Sequence, residues 1–145
     1  MGHTALHTTL LTKRVTFSAS HRYWNPKWSE EKNREVFGKC ISPYGHGHNY
    51  ILEVTLKGVP NPETGMIINL YDLKPIIEDV LEGFDHKYLN DDNPEFKELI
   101  PTTENIARVL WRNLDLRLKE TVQCELYRLR LYETPELFVD YWIDR

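Results

Sequence analysis

Gly45-His46-Gly47-His48-Asn49-Tyr50-Ile51-Leu52-Glu53-Val54-Thr55-Leu56-Lys57 carries two messages in one strand. In its second half Tyr50, Leu52, Val54 and Leu56 fall on one face and Glu53, Thr55 and Lys57 on the other, the period-2 pattern of a half-buried strand. In its first half His46 and His48 stand two residues apart, so the same alternation sends both imidazoles to one side, where they can reach a single ion. A second alternating run, residues 15–22, supplies an antiparallel partner and ends at His21, a third imidazole. Three neutral imidazoles with an open fourth position make a catalytic zinc site, whereas structural zinc is closed by four protein ligands, usually with several thiolates. No carboxylate lies close in sequence to complete a facial triad, which favours zinc over iron. The competing reading is a polar Gly-His-Gly-His loop whose histidines only cap or hydrogen-bond; a thiol just upstream, Cys40, weighs against it.

Around these two strands the pattern alternates between strand and helix. Residues 23–45 form a long connection rich in Trp, Pro, Lys and Glu, with a short helix expected over 29–37 and Ser29 as its cap. Turn formers crowd residues 58–65, and Met66-Ile67-Ile68-Asn69-Leu70 is expected to complete a hairpin. A helix is expected over 71–82, with Leu73, Ile76, Ile77, Val80 and Leu81 at helical spacing and Pro75 near its first turn. A second helix begins after Pro101, with Thr102 as cap, Glu104 in the first turn, and a stripe of Ile106, Val109, Leu110 and Leu114. Strand returns at Tyr127, Leu129 and Leu131, alternating with Arg128 and Arg130, and again over 137–142. The economical assembly is α+β: an antiparallel sheet with two helices packed on one face.

A chain of 145 residues makes one domain, 1–145, the default, and that length buries roughly 68–70% of the surface its unfolded chain exposes. A formal net charge of −4 argues against a general nucleic-acid binder. No apolar stretch approaches the roughly 20 residues that span a bilayer, and the first residues lack the order of a secretory signal, so a cytoplasmic location is expected. Met1-Gly2 is not read as a myristoylation signal, because Leu6 stands where Ser or Thr is required. His3 and His7 are read as solvated leader residues, and two cysteines in such different contexts do not make a disulfide framework.

Two further groups bear on chemistry. Asp85-His86 puts a carboxylate and an imidazole together in the loop after the first long helix, beside the alternative that Asp85 caps a turn and His86 lies at the surface. Glu133 ends the alternating strand with the parity of its apolar face, either at a wet rim or held to bind a donor-rich ligand. Adjacent amino and ring N–H groups of a guanidine-like heterocycle match a bidentate carboxylate.

Several separated motifs then line up in order: Phe17-Ser18-Ala19-Ser20-His21-Arg22, Phe37-Gly38-Lys39-Cys40, Gly45-His46-Gly47-His48-Asn49-Tyr50, Pro62-Glu63-Thr64-Gly65-Met66, Asp85-His86-Lys87, Thr102-Thr103-Glu104-Asn105 and Tyr132-Glu133-Thr134. Together they resemble the 6-pyruvoyl tetrahydropterin synthase family, which includes 6-carboxytetrahydropterin synthase, across nearly the whole chain. The resemblance implies zinc on His21, His46 and His48, Cys40 as general base, Asp85 and His86 assisting proton transfer, and Glu133 anchoring a pterin ring with Thr102, Thr103 and Glu104 nearby. It implies a tunnelling fold, in which sheets of neighbouring subunits join into a barrel, commonly a dimer of trimers with active sites between subunits. It further implies the substrate 7,8-dihydroneopterin triphosphate; which cations contact the triphosphate is not read from the sequence, Arg22, Lys27 and Lys39 being only the basic candidates. Five residues separate Cys40 from His46, resembling the pyruvoyl-forming branch, while Ile41, Ser42 and Tyr44 replace the asparagines common in that loop. The carboxy-forming activity of a deazapurine (queuosine) pathway and a pterin-binding module without turnover stand as alternatives.

Overall fold

The computed structural model describes residues 7–120 and 124–144; Met1, Gly2, His3 and Leu6 lie outside them. Strand β1 (Thr9–His21) pairs antiparallel with β2 (His46–Gly58) along their full lengths, from Thr9 opposite Gly58 to His21 opposite His46. On its other edge β2 pairs antiparallel with β4 (Cys124–Thr134), which in turn pairs with β5 (Leu137–Tyr141). A two-residue strand, β3 (Lys87–Tyr88), runs parallel to Ala19 and Ser20 and completes the order β3-β1-β2-β4-β5.

Among the described residues four α-helices accompany this sheet: α1 (Glu30–Phe37), α2 (Leu70–Leu81), the single turn α3 (Leu89–Asp92) and α4 (Thr103–Leu118). Their starts follow local chemistry. Ser29, Asn69 and Thr102 each sit in extended backbone and accept from an amide of the following turn: Lys32, Tyr71 and Asn105 respectively. One face of α2 (Leu73, Ile76, Ile77, Leu81) and one of α4 (Ile106, Leu110, Leu114, Leu118) share a core with Tyr50, Leu52, Val54, Leu56, Leu129 and Leu131 from the sheet. The expected α+β layering of two helices on one sheet face is what forms. Among the described residues no helix is long and apolar enough to cross a membrane.

Three local expectations are corrected. Residues 66–70 are not a strand, because β1 and β4 already occupy both edges of β2. The turn closes on itself instead, with the Asn61 amide donating to the Met66 carbonyl and the Gly65 amide to the Asn61 carbonyl. The chain then drops Ile67 and Ile68 into the core before Asn69 caps α2. Pro75 lies inside α2 rather than in its first turn, since the helix starts at Leu70; the bond it cannot make is to the carbonyl of Tyr71, which is exposed. Tyr127 does not share the face of Leu129: the register between β2 and β4 shifts after Thr55, leaving Tyr127 exposed and Leu126 buried in its place.

Candidate active site

The helix-covered face of β1 and β2 changes character along its length. It is hydrocarbon from Leu56 to Leu52 and becomes imidazole beyond Tyr50. Because His21 stands opposite His46 and Ala19 opposite His48, the three rings cluster with centroids 4.6 Å (His21–His46), 5.1 Å (His21–His48) and 5.1 Å (His46–His48) apart. Gly45 makes the approach of the second strand possible. Its φ is +71°, and a Cβ there would meet the Tyr88 ring at 2.8 Å and the His21 carbonyl at 2.9 Å.

Hydrogen bonding sets the tautomer of His21. Its Nδ1 lies 2.7 Å from the Pro101 carbonyl, an acceptor only, so Nδ1 carries the proton and Nε2 presents a lone pair. Burial, opposed by this bond and aided by His46 and His48, lowers the His21 pKa from its ordinary 6.5 to about 4. Burial also lowers that of His48, with Glu133 opposing. The Nε2 atoms of both are buried without a hydrogen bond among the described residues. One ligand atom from each of His21, His46 and His48 lies within 4.8 Å of the others. Neutral, orphaned imidazole nitrogens converging on one point are what a zinc ion requires, and the donor set fits it. The fourth neighbour is a surprise for a site expected to be open: Glu133 Oε1 lies 3.4 Å from His21 Nε2 and 3.5 Å from His48 Nε2. The parity of β4 aims Glu133 inward, as its sequence position implied.

Cys40 lies in a short 3-10 turn over Gly38–Ile41, and its carbonyl accepts from the Tyr23 amide at 2.7 Å. Tyr23 is the site residue that sequence reasoning missed. Its ring packs edge-on against His21 at 5.1 Å and Phe37 at 5.7 Å and lies 6.4 Å from His46. Burial first, then Glu133, Cys40 and Glu104, raise its pKa to about 12, so the phenol stays neutral. The signal was only its place two residues after His21, with no motif to mark it. With the proton on His21 Nδ1, the Tyr50 hydroxyl 3.3 Å away can only accept there, and burial raises its pKa as well. At the start of α4, Thr102 spends its hydroxyl on the cap, Thr103 is buried with its hydroxyl near the Tyr23 phenol, and Glu104 is exposed. Arg22 is committed elsewhere: its guanidinium donates to the Ile41 carbonyl and stacks over Trp24 at 4.4 Å, while Lys27 and Lys39 are exposed.

Asp85 and His86 do not join the imidazole cluster within the chain. The Ser18 amide donates to Asp85 Oδ1 at 2.9 Å, and the His86 amide donates to the Ser18 carbonyl at 2.6 Å, so the pair is pinned to the edge of β1. Asp85 Oδ2 lies 3.0 Å from His86 Nδ1, and the Ser18 amide, then His86, lower the Asp85 pKa. His86 holds φ at +60°, unusual for a residue with a side chain, and its side chain is 84% exposed. It lines a groove of about 530 Å³ together with Ser18, Ala19, Ser20, His48 and Asn49.

Residues 10–144 match the family described as 6-pyruvoyl tetrahydropterin synthase. The chain belongs to this family. Among its relatives, the 6-pyruvoyl tetrahydrobiopterin synthase of Poecilia reticulata is 45% identical over 132 residues, covering 90% of this chain and 88% of the relative. The 6-carboxy-5,6,7,8-tetrahydropterin synthase of Rickettsia bellii is 30% identical over 145 aligned residues, covering 89% and 96%. The solved 6-pyruvoyl tetrahydropterin synthase of Caenorhabditis elegans superposes with a TM-score of 0.90 at 33% identity, covering 98% of this chain and 100% of that one. The expected family and tunnelling-fold class are thereby met.

Proposed function

We propose that this chain is a zinc-dependent 6-pyruvoyl tetrahydropterin synthase, a lyase that converts 7,8-dihydroneopterin triphosphate to 6-pyruvoyl tetrahydropterin with loss of triphosphate. The observation that carries the reading is the convergence of three imidazoles, two with orphaned buried Nε2 atoms, beside Glu133 and the turn bearing Cys40. The greater identity to the pyruvoyl-forming relative than to the carboxy-forming one supports the choice of product.

His21, His46 and His48 would hold the zinc, which when bound supplies Lewis acidity toward the side-chain oxygens of the substrate. Glu133 accepts from the amino and ring N–H groups of the pterin and fixes its orientation. Thr103 and Glu104 border the same space, and the neutral Tyr23 phenol forms a wall that excludes water. Cys40 takes a proton from a side-chain carbon as general base, and Asp85 with His86 returns or relays protons. Because oxidation and reduction both occur within the substrate, no nicotinamide is needed.

The position of Asp85-His86 at the β1 edge, outside the imidazole cluster of its own chain, supports a site completed between chains, in which this pair faces Cys40 of a neighbouring copy. The exposed apolar groups Leu137, Phe138, Trp142 and Ile143, together with the sheet edge at β5, support assembly of sheets into a homohexamer, a dimer of trimers, of single-domain chains in the cytoplasm. Incubating the purified protein with 7,8-dihydroneopterin triphosphate and identifying products by mass spectrometry tests the function. A pyruvoyl product is expected. A carboxy product with a two-carbon aldehyde, or binding without turnover, contradicts it.

A further inference from the structure

Cys40 sits on a turn that does little to define itself. The 3-10 segment Gly38–Ile41 has four residues, the residue before it, Phe37, offers no side-chain cap, and the bond that closes it, from the Ser42 amide to the Lys39 carbonyl, spans 3.3 Å. Turns of this kind have poorer hydrogen-bond geometry than an α-helix, so outside contacts decide where they lie. Here those contacts come from the end of β1. Just past His21, two consecutive residues hold two consecutive carbonyls of the turn. The Tyr23 amide donates to the Cys40 carbonyl at 2.7 Å, and the Arg22 guanidinium donates through Nε at 3.1 Å and Nη2 at 2.7 Å to the Ile41 carbonyl. The guanidinium bonds are charge-assisted and so the stronger of the set. Arg22 is itself fixed at both ends. Asn90 brackets its backbone, accepting from the Arg22 amide at 2.8 Å and donating to the Arg22 carbonyl at 2.9 Å, while the guanidinium lies over the Trp24 ring at 4.4 Å.

We propose that Arg22 is a positioning residue that sets the Cys40 thiol relative to the imidazole cluster, with Asn90 holding Arg22 in place. This deepens the proposed function and rests on it for the role of Cys40 as base. The strand that carries His21 thereby also fixes the turn that carries the thiol, so one short stretch of backbone, residues 21–23, sets the spacing between metal site and base. A base displaced by roughly 1 Å loses on the order of 10²-fold in rate even when every catalytic group is present. Lysine is no equivalent at this position: its ammonium is a point charge on a flexible stem, whereas the planar fork reaches one carbonyl through two nitrogens while stacking on an indole. The Nε and Nη2 edge of Arg22 is accordingly spent inside the chain and is not the edge that meets a triphosphate.

The test compares the full-length wild type with Arg22→Ala, Arg22→Lys and Asn90→Ala, with thermal melts and zinc content verifying that each is folded and loaded. With 7,8-dihydroneopterin triphosphate, Arg22→Ala should lose about 10²-fold in kcat with KM little changed, and Arg22→Lys and Asn90→Ala should lose less in the same sense. Guanidinium ion, added far below denaturing concentrations, should restore part of the Arg22→Ala turnover and none of the Cys40→Ala turnover. Alkylation by iodoacetamide, followed by mass spectrometry of the two cysteine peptides, should change rate several-fold at Cys40 in Arg22→Ala and Asn90→Ala and stay constant at Cys124. Variants that match wild type in kcat and in Cys40 alkylation overturn the proposal. A loss that falls on KM marks Arg22 as a triphosphate contact, and a loss that tracks zinc depletion marks it as a support of the metal cluster; either result overturns the proposal. If Arg22→Ala does not fold, Arg22→Lys and Asn90→Ala decide by the same readouts. If Cys40→Ala keeps full turnover, the reading of Cys40 as base fails, while the alkylation comparison still decides whether Arg22 positions the thiol.

Discussion

Two imidazole-bearing regions of this molecule are built in opposite ways. His21, His46 and His48 project from the ends of two long paired strands, with His21 wholly buried and its tautomer fixed by the Pro101 carbonyl. Asp85 and His86 sit on a loop held to β1 through the backbone and carboxylate contacts at Ser18 and the short pairing of Lys87 and Tyr88 with Ala19 and Ser20, with the His86 ring in solvent. The first region is held on paired strands and largely shielded from water, as suits a metal-binding set. The second is exposed and polar, as a proton carrier that meets its partner only on assembly can be. Position on a strand against position on a loop thus separates the group proposed to bind metal from the group proposed to carry protons.

The difference sets an order of effects. His48→Ala strikes the strand-borne region at a partly exposed position where the fold survives; steady-state assays should find turnover lower by about 10³-fold or more, as loss of several kcal/mol of transition-state stabilisation dictates. Retained activity would mean the cluster is not the reaction centre. Cys40→Ala should lower kcat by about 10²–10⁴-fold with KM little changed, the signature of a lost general base rather than lost binding. His86→Ala should lower kcat by about 10²-fold while the melting temperature stays within a degree or two, because the ring makes no buried contact. Co-expressing the Cys40→Ala and His86→Ala chains should recover part of the activity if the two regions meet between copies. Two equally dead singles that give a dead mixture would place both groups in one chain's site.

The smallest effect is one of stability. Since the folded pKa of His21 is about 4 against 6.5 unfolded, the unfolded chain binds more protons between these values. The contribution is full above pH 6.5 and is lost as pH falls toward 4, amounting to roughly 3 kcal/mol for this buried group. Metal-free protein should therefore melt several degrees lower at pH 5 than at pH 7.5. Equal melting temperatures would show that His21 is not held neutral.

Much of this was legible in the sequence because it follows from strand parity. The alternation of Tyr50, Leu52, Val54 and Leu56 fixed the core face, and the spacing of His46 and His48 fixed their common side. Parity likewise turned Glu133 inward. What parity could not reveal was anything decided by a partner strand. The shift at Thr55 moved Tyr127 outward, and the occupied edges of β2 denied residues 66–70 a place in the sheet. Tyr23 was invisible because its role comes from a tertiary junction between the cysteine turn and the histidine cluster. The separation of Asp85-His86 from that cluster is set by where its loop docks on the edge of β1 at Ser18, and no local pattern encodes it.

Metal stoichiometry joined to reversible loss of turnover tests the convergence of the three imidazoles most directly. One zinc per chain is predicted by elemental analysis, with turnover abolished by a strong chelator, restored by one equivalent of zinc, and no zinc retained by His48→Ala. Full activity in protein stripped of metal, or an unchanged zinc content in His48→Ala, would contradict it.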